Sequence, residues 1–221
     1  MVRATRGQVD KYMGDAVMAF WGAPVRTERH AHNACEAALR VQALFAERQE
    51  DLTKAYGRPV YCRIGVDSGE VLVGGMGSDF ESKYSVLGRS VKFSMFLEGL
   101  NRAYGTFVLV GDGVARLAQD SYVFREVDRV RPKGRGEVAR LHELVGRKGE
   151  LSPQTQALLA LHEQALTAYH QRDFTQALAL FSQGAEQFQD AVARLYIDRC
   201  HAFLAAAPPE DWDGVSGLEG V

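Results

Sequence analysis

The chain has 221 residues, 46% hydrophobic and 24% charged, which fits one medium domain plus a smaller appendage with enough apolar mass for a core. A net charge of −2 gives no bulk electrostatic pull toward nucleic acid or an anionic membrane. Cys35, Cys62 and Cys200 are widely spaced and form no CxxC pair, which excludes a metal knuckle and a disulfide framework and predicts free thiols.

In chain order, residues 7–12 and 16–21 read as two short strands joined at Met13-Gly14-Asp15, a hairpin signal. Residues 28–56 repeat apolar side chains at helical spacing (Ala34, Ala37, Ala38, Val41, Leu44, Phe45, Leu52) and end at Gly57, predicting one long helix. Runs 61–66 and 70–73 flank Asp67-Ser68-Gly69 and predict a second hairpin, and the glycine-rich run 74–78 predicts a loop. A helix is expected over 90–102, a strand over 106–110, a helix over 112–119 and a strand over 122–127. A last pair near 128–131 and 138–144 flanks Pro132-Lys133-Gly134-Arg135-Gly136. Strands and helices mix without regular βα alternation. That pattern favours an α+β sandwich with helices on one face of a largely antiparallel sheet over a doubly wound parallel sheet.

From residue 152 onward only helical periodicity remains, broken at 171–173 and near 189–190. The expected organisation is a domain over 1–148, a helical extension over 150–207 and a flexible tail over 208–221. Residues 172–188 resemble the second helix of a tetratricopeptide unit, and a generic helical hairpin reads equally well. A lone unit of that kind needs the main domain or a protein partner to bury its core. No apolar run approaches the roughly 20 residues of a membrane helix, and the first residues lack a signal-peptide core, so a cytoplasmic protein is expected.

Several ordered motifs resemble the class III adenylate/guanylate cyclase catalytic domain. They are Val9-Asp-Lys-Tyr-Met-Gly-Asp-Ala-Val-Met-Ala-Phe-Trp-Gly-Ala-Pro24, Arg63-Ile-Gly-Val-Asp-Ser-Gly-Glu-Val-Leu-Val-Gly74, Tyr84-Ser-Val-Leu-Gly88 and Leu97-Glu-Gly-Leu-Asn-Arg-Ala-Tyr-Gly105. Arg131-Pro-Lys-Gly-Arg-Gly136 and His142-Glu-Leu-Val-Gly146 extend the match, which covers roughly residues 7–146. The tail is similar to extensions in multidomain bacterial cyclases. The resemblance implies a cyclase-type α+β sandwich with a ferredoxin-like core. It also implies conversion of ATP, or a related nucleoside triphosphate, to a cyclic nucleotide plus pyrophosphate in intracellular signalling. Two Mg2+ or Mn2+ ions would be held by carboxylates. The domain would work as a homodimer, or as a heterodimer with another cyclase domain, with sites at the interface.

On this resemblance Asp15 is a metal ligand, Lys11 contacts the purine and Lys133 neutralises triphosphate oxygens. Without it, Asp15 is turn chemistry, Lys11 an exposed strand lysine and Lys133 a solvated basic turn. Two departures stand out. The family domain opens with a strand carrying the other metal aspartate, then a phosphate turn and two helices. This sequence opens just before the second strand, so the resemblance implies an N-terminally truncated domain, and Asp10 lies on the wrong strand to substitute. The second departure is on the helix after Gly88. There Arg89 stands for the base-reading Asp, Lys92 for the ribose-orienting Asn and Phe96 for the pyrophosphate-stabilising Arg. At about 100° per residue these share one face, which the family points into its active-site groove.

Arginine and lysine donate hydrogen bonds but cannot accept them from adenine's amine. Losing one electrostatic catalytic group costs about 10²–10³ in rate. No catalytic position is therefore intact, and drift explains the substitutions as readily as a new role. The expected activity of this chain alone is weak or absent; the alternative is a catalytically dead pseudo-cyclase acting as a regulatory or heterodimerisation module. His30 and His32 do not share a helical face and are poor metal partners. Phe45, Met95 and Phe107 read as core, and Trp21 and Trp212 as packing anchors.

Overall fold

The computed structural model describes residues 1–77, 82–132 and 137–216. After a single 3-10 turn (Arg3–Thr5), β1 (Gln8–Met13) and β2 (Ala16–Phe20) form the expected hairpin. Gly14 occupies the first turn position at φ 65°, with open space where a Cβ would sit, so its conformation and not crowding asks for glycine.

The long helix expected over 28–56 is two helices, α1 (His30–Glu47) and α2 (Gln49–Tyr56). The buried residues of α1 stop at Ala38 and α2 buries none, so the chain has already left the core where the helix breaks. The second hairpin is also corrected. β3 (Ile64–Val66) and β4 (Leu72–Gly77) belong to different sheets. β4 pairs antiparallel with β5 (Ser82–Leu87) from Leu72↔Leu87 to Gly77↔Ser82, so Gly74–Gly77 is strand and not loop. A six-pair ladder outweighs the weak strand preference of glycine there.

α3 (Arg89–Tyr104), β6 (Val108–Gly111) and α4 (Asp112–Ala118) follow. The two short strands expected over 122–131 are one, β7 (Tyr122–Val130), paired along its length with β8 (Ala139–Arg147). Register shifts near Phe124 and Asp128 interrupt the period-two pattern, which is why adjacent Val127 and Asp128 are both buried.

The main sheet has the order β3-β6-β8-β7, parallel between β3 and β6 and antiparallel elsewhere. Its two faces carry separate cores. Leu109 of β6 joins α3 and the C-terminal helices in one, while Val108 and Val110 join α1 and α4 in the other. Helices thus cover both faces, not one. Gly65 of β3 lies so close beneath α3 that a Cβ would sit 2.0 Å from the Ser94 carbonyl oxygen, which fixes the height of that helix over the sheet. Met95 and Phe107, expected in the core, are exposed; Phe107 lies tilted against Tyr61 with ring centroids 5.4 Å apart.

The C-terminal extension is α5 (Pro153–His170), α6 (Phe174–Phe188) and α7 (Ala191–Ala205), each opened by a side-chain cap from Ser152, Asp173 and Asp190. Its core is continuous with the main domain: Leu97, Leu109 and Leu141 share one cluster with Tyr169, Phe181 and Tyr196. Residues 208–216, expected to be a flexible tail, fold back over these helices. Trp212 packs among Tyr169, Phe174 and Phe203, and Ser216 pairs with Val130.

Candidate active site

Two elements hold the residues singled out by sequence. On the β1–β2 hairpin, Asp10 is an extra residue between the Val9↔Ala19 and Lys11↔Met18 pairs, and such a bulge re-aims its neighbours. The Asp10 side chain is turned inward, 1% exposed, while Lys11 is 48% exposed with Nζ 3.2 Å from Asp10 Oδ2. Neither Asp10 oxygen makes a hydrogen bond to a described residue. Lys11 is thus tied to a buried anion on its own strand, a pairing that the sequence reading passed over. Asp15 sits exposed at the turn.

The second element is the start of α3. Gly88 precedes it without a side-chain cap, and the first turn has no acidic residue. Arg89 and Lys92 are both exposed. Phe96 behaves differently. It is half-buried, packs against the large core and stacks on Phe93 at 5.8 Å. The face expected to present three residues together is split, with two cations toward solvent and the aromatic ring toward the core.

Hairpin and helix are neighbours through β5. Phe20 of β2 lies against Tyr84 of β5 at 6.1 Å, and β5 leads into α3. Among the described residues no hydrogen bond or ion pair joins Lys11 or Asp15 to Arg89, Lys92 or Phe96. Lys133 lies outside the described residues. Among those described, no three His, Cys, Asp or Glu side chains converge on a point that could hold a metal ion. Asp15 alone does not amount to a divalent-cation site, so the side chains present do not fit a two-ion centre.

Sequence reasoning also missed the roles of two histidines. His30 Nδ1 faces the Thr27 carbonyl at 3.2 Å and its Nε2 lies 2.8 Å from Ser68 Oγ, tying the loop after β3 to α1. His142 on β8 reaches Asp112 at 3.3 Å, and burial lowers its pKa. Partners 38 and 30 residues away leave no local signal.

The fold is similar to that of the adenylyl cyclase CyaB from P. aeruginosa, with a TM-score of 0.61 over 68% of this chain and 78% of that one; at 24% identity this is a likeness of fold. The molecule thus has a fold also seen in a nucleotide cyclase. By sequence, the chain belongs to the family described as Adenylate and Guanylate cyclase catalytic domain, matched over residues 3–143. Adenylate cyclase 1 of Rhizobium meliloti is 35% identical over 147 residues, 66% of this chain. The terminal-differentiation specific adenylate cyclase of Dictyostelium discoideum is 26% identical over 203 residues, 88% of this chain, a match reaching beyond the family segment. The chain spans only 22% and 9% of the lengths of these two relatives. No helix among the described residues is long and apolar enough to cross a membrane.

Proposed function

We propose that this chain is a nucleotide-binding cyclase-type domain of cyclic-nucleotide signalling that has little or no turnover by itself. In the reaction of such domains the ribose 3′ oxygen bonds to the α-phosphorus, the bond to the leaving phosphate breaks, and the 3′ proton is lost as pyrophosphate departs. Lys11 would meet the purine, Lys133 the triphosphate, and Asp15 is the carboxylate this chain would offer toward a divalent cation. The observation that carries the reading is Phe96. A half-buried ring held against Phe93 supplies no charge where the family resemblance calls for an arginine. Arg89 and Lys92 add positive charge at the same helix start, which suits holding a polyphosphate more than reading adenine.

This domain would pair with a second cyclase domain, the same or another. Its exposed apolar side chains on β1, β2, β4 and β5 support that reading. The helices α5–α7 are read as a tetratricopeptide-like extension whose unit docks on its own domain. The test is cyclic AMP formation from ATP and Mn2+ by the purified chain, alone and mixed with an intact cyclase domain. Robust turnover alone overturns the reading. No turnover alone, with tight binding to the active domain and a change in its rate, supports a regulatory pseudo-cyclase.

A further inference from the structure

A cavity of about 360 Å3 lies between the N-terminal 3-10 turn and α1, far from the Gly14-Asp15 turn, with Thr5, Arg6, Arg29, Asn33, Glu36 and Arg40 in its lining. Arg29, Asn33, Glu36 and Arg40 recur at helical spacing, so one stripe of α1 supplies a wall. The opposite wall ends in Arg6, which is left-handed at φ 62° and ψ 25°. A non-glycine residue in that region is strained and persists only where its surroundings hold it. Here they do. Thr5 is buried, its hydroxyl donates to the Val2 carbonyl at 2.9 Å, and Trp21 Nε1 donates to Thr5 O at 3.1 Å.

The charges do not cancel within the cavity. Glu36, its acid, is already saturated. It accepts from Arg40 at 2.7 Å, from Arg147 at 3.0 Å and from Tyr122 at 3.2 Å, and the Arg147 hydrogen bond foremost lowers its pKa to about 2. Among the described residues no carboxylate lies within ion-pair distance of Arg6 or Arg29, and the Asn33 amide has no hydrogen-bond partner. Asp120, whose charge Arg29 feels, is engaged with His32 at 2.6 Å. Beside Glu36, whose oxygens are already engaged, the space is faced by two cations, Arg6 and Arg29, that have no ion-pair partner among the described residues. The planar fork of a guanidinium can donate two hydrogen bonds to two oxygens of one phosphate. The volume exceeds one phosphate and falls within the roughly 300–1,000 Å3 of small-molecule sites.

We propose that this cavity binds the phosphate group of a small phosphate-bearing molecule, with Arg6 and Arg29 as the principal donors and Arg40 and Asn33 flanking them. The site is separate from Lys11 and Asp15. With β1 in between, Arg6 and the Asp15 turn are roughly 20–25 Å apart along the strand. Occupancy would brace the root of the hairpin that carries both residues.

The test is calorimetric titration of the full chain with inorganic phosphate, with glucose 6-phosphate and with glucose as the uncharged control. Saturable one-to-one binding of either phosphate compound and none of glucose is expected. A tighter ester marks an organic phosphate, and equal affinities mark free phosphate. Arg29→Gln with Arg6→Asn, which keeps a residue that tolerates the left-handed backbone, is expected to weaken binding at least about tenfold. Arg102→Gln on α3 is expected to leave it unchanged. Thermal melts of the unliganded variants check folding, and if the double variant melts early, Arg29→Gln alone carries the test. Undiminished binding in the cavity variants, equal loss in Arg102→Gln, or no saturable binding at all overturns the proposal.

Discussion

Where β7 and β8 meet the helical extension, buried charges are paired within the chain; along the β1–β2 and β4–β5 hairpins, large apolar side chains face outward. Asp128, 1% exposed, accepts from Tyr104 at 2.6 Å, Arg199 at 2.7 Å, Ser216 at 2.9 Å and the Arg129 amide at 2.8 Å. Arg125 lies between Glu143 at 2.6 Å and Asp190 at 2.9 Å. Those two clusters join β7, β8, α3, α7 and the 208–216 segment. By contrast Tyr12 is 74% exposed, Leu72 70% and Leu87 55%. The difference teaches that one half of the molecule is completed by its own chain, while the other presents the kind of surface that marks an interaction site.

The strongest challenge to this contrast is Asp128→Ala. Removing the acceptor leaves Arg199 and the Tyr104 hydroxyl buried without their partner, and breaking such a cluster costs about 3–5 kcal/mol. Urea unfolding monitored by circular dichroism would read it; a loss under about 1 kcal/mol would show that the extension is not held this way.

Acid should act on the same half next. Burial, and then the charge of Arg125, lowers the His162 pKa from 6.5 to about 4, while its Nε2 faces the Glu126 carbonyl at 2.7 Å. An unfolded chain takes up this proton near pH 6.5 and the folded one only near 4. Stability is therefore full above about 6.5 and is lost as pH falls toward 4, by about 3 kcal/mol for this group. His142 and His170 shift in the same direction, while the raised pKa of buried Glu143 opposes them. Glu36, lowered to about 2, adds its loss only below its ordinary 4.5. Unfolding free energies measured from pH 7 to 4.5 should fall, and less steeply in His162→Gln. Identical slopes in both proteins would remove His162 from the account.

The smallest effect is expected on the outward face. Leu72→Ser with Leu87→Ser should change the stability of the isolated chain by no more than about 0.5 kcal/mol, because both side chains already face water. The same pair should weaken association with a second cyclase domain in sedimentation experiments. A large stability loss would mean that this face is already packed within the chain.

Much of the local layout was legible. Gly14 marked the first hairpin, and the helix breaks near 172 and 190 fell where Asp173 and Asp190 cap α6 and α7. Motif position put Lys11 and Asp15 on one hairpin and Arg89 and Lys92 at one helix start. The direction of Phe96 was not legible, since helical spacing places it with Arg89 and Lys92 and only the surrounding core draws the ring inward. Nor could composition separate a solvated Asp10 from one buried beside Lys11.

The amino-acid sequence by itself determined the family, the hairpin and helix boundaries set by glycines and caps, and which residue types stand at the positions that the family resemblance singles out. Such signals act over a few residues, so they survive without knowledge of the fold. Tertiary structure alone decided that β3 pairs with β6, that helices cover both faces of the sheet, and that the extension and main domain share one core. Those outcomes rest on pairs such as Tyr104 with Asp128, 24 residues apart, and Ser216 with Asp128, 88 apart. Their energy comes from burial and from satisfying a charge removed from water, and neither exists until the distant partner arrives.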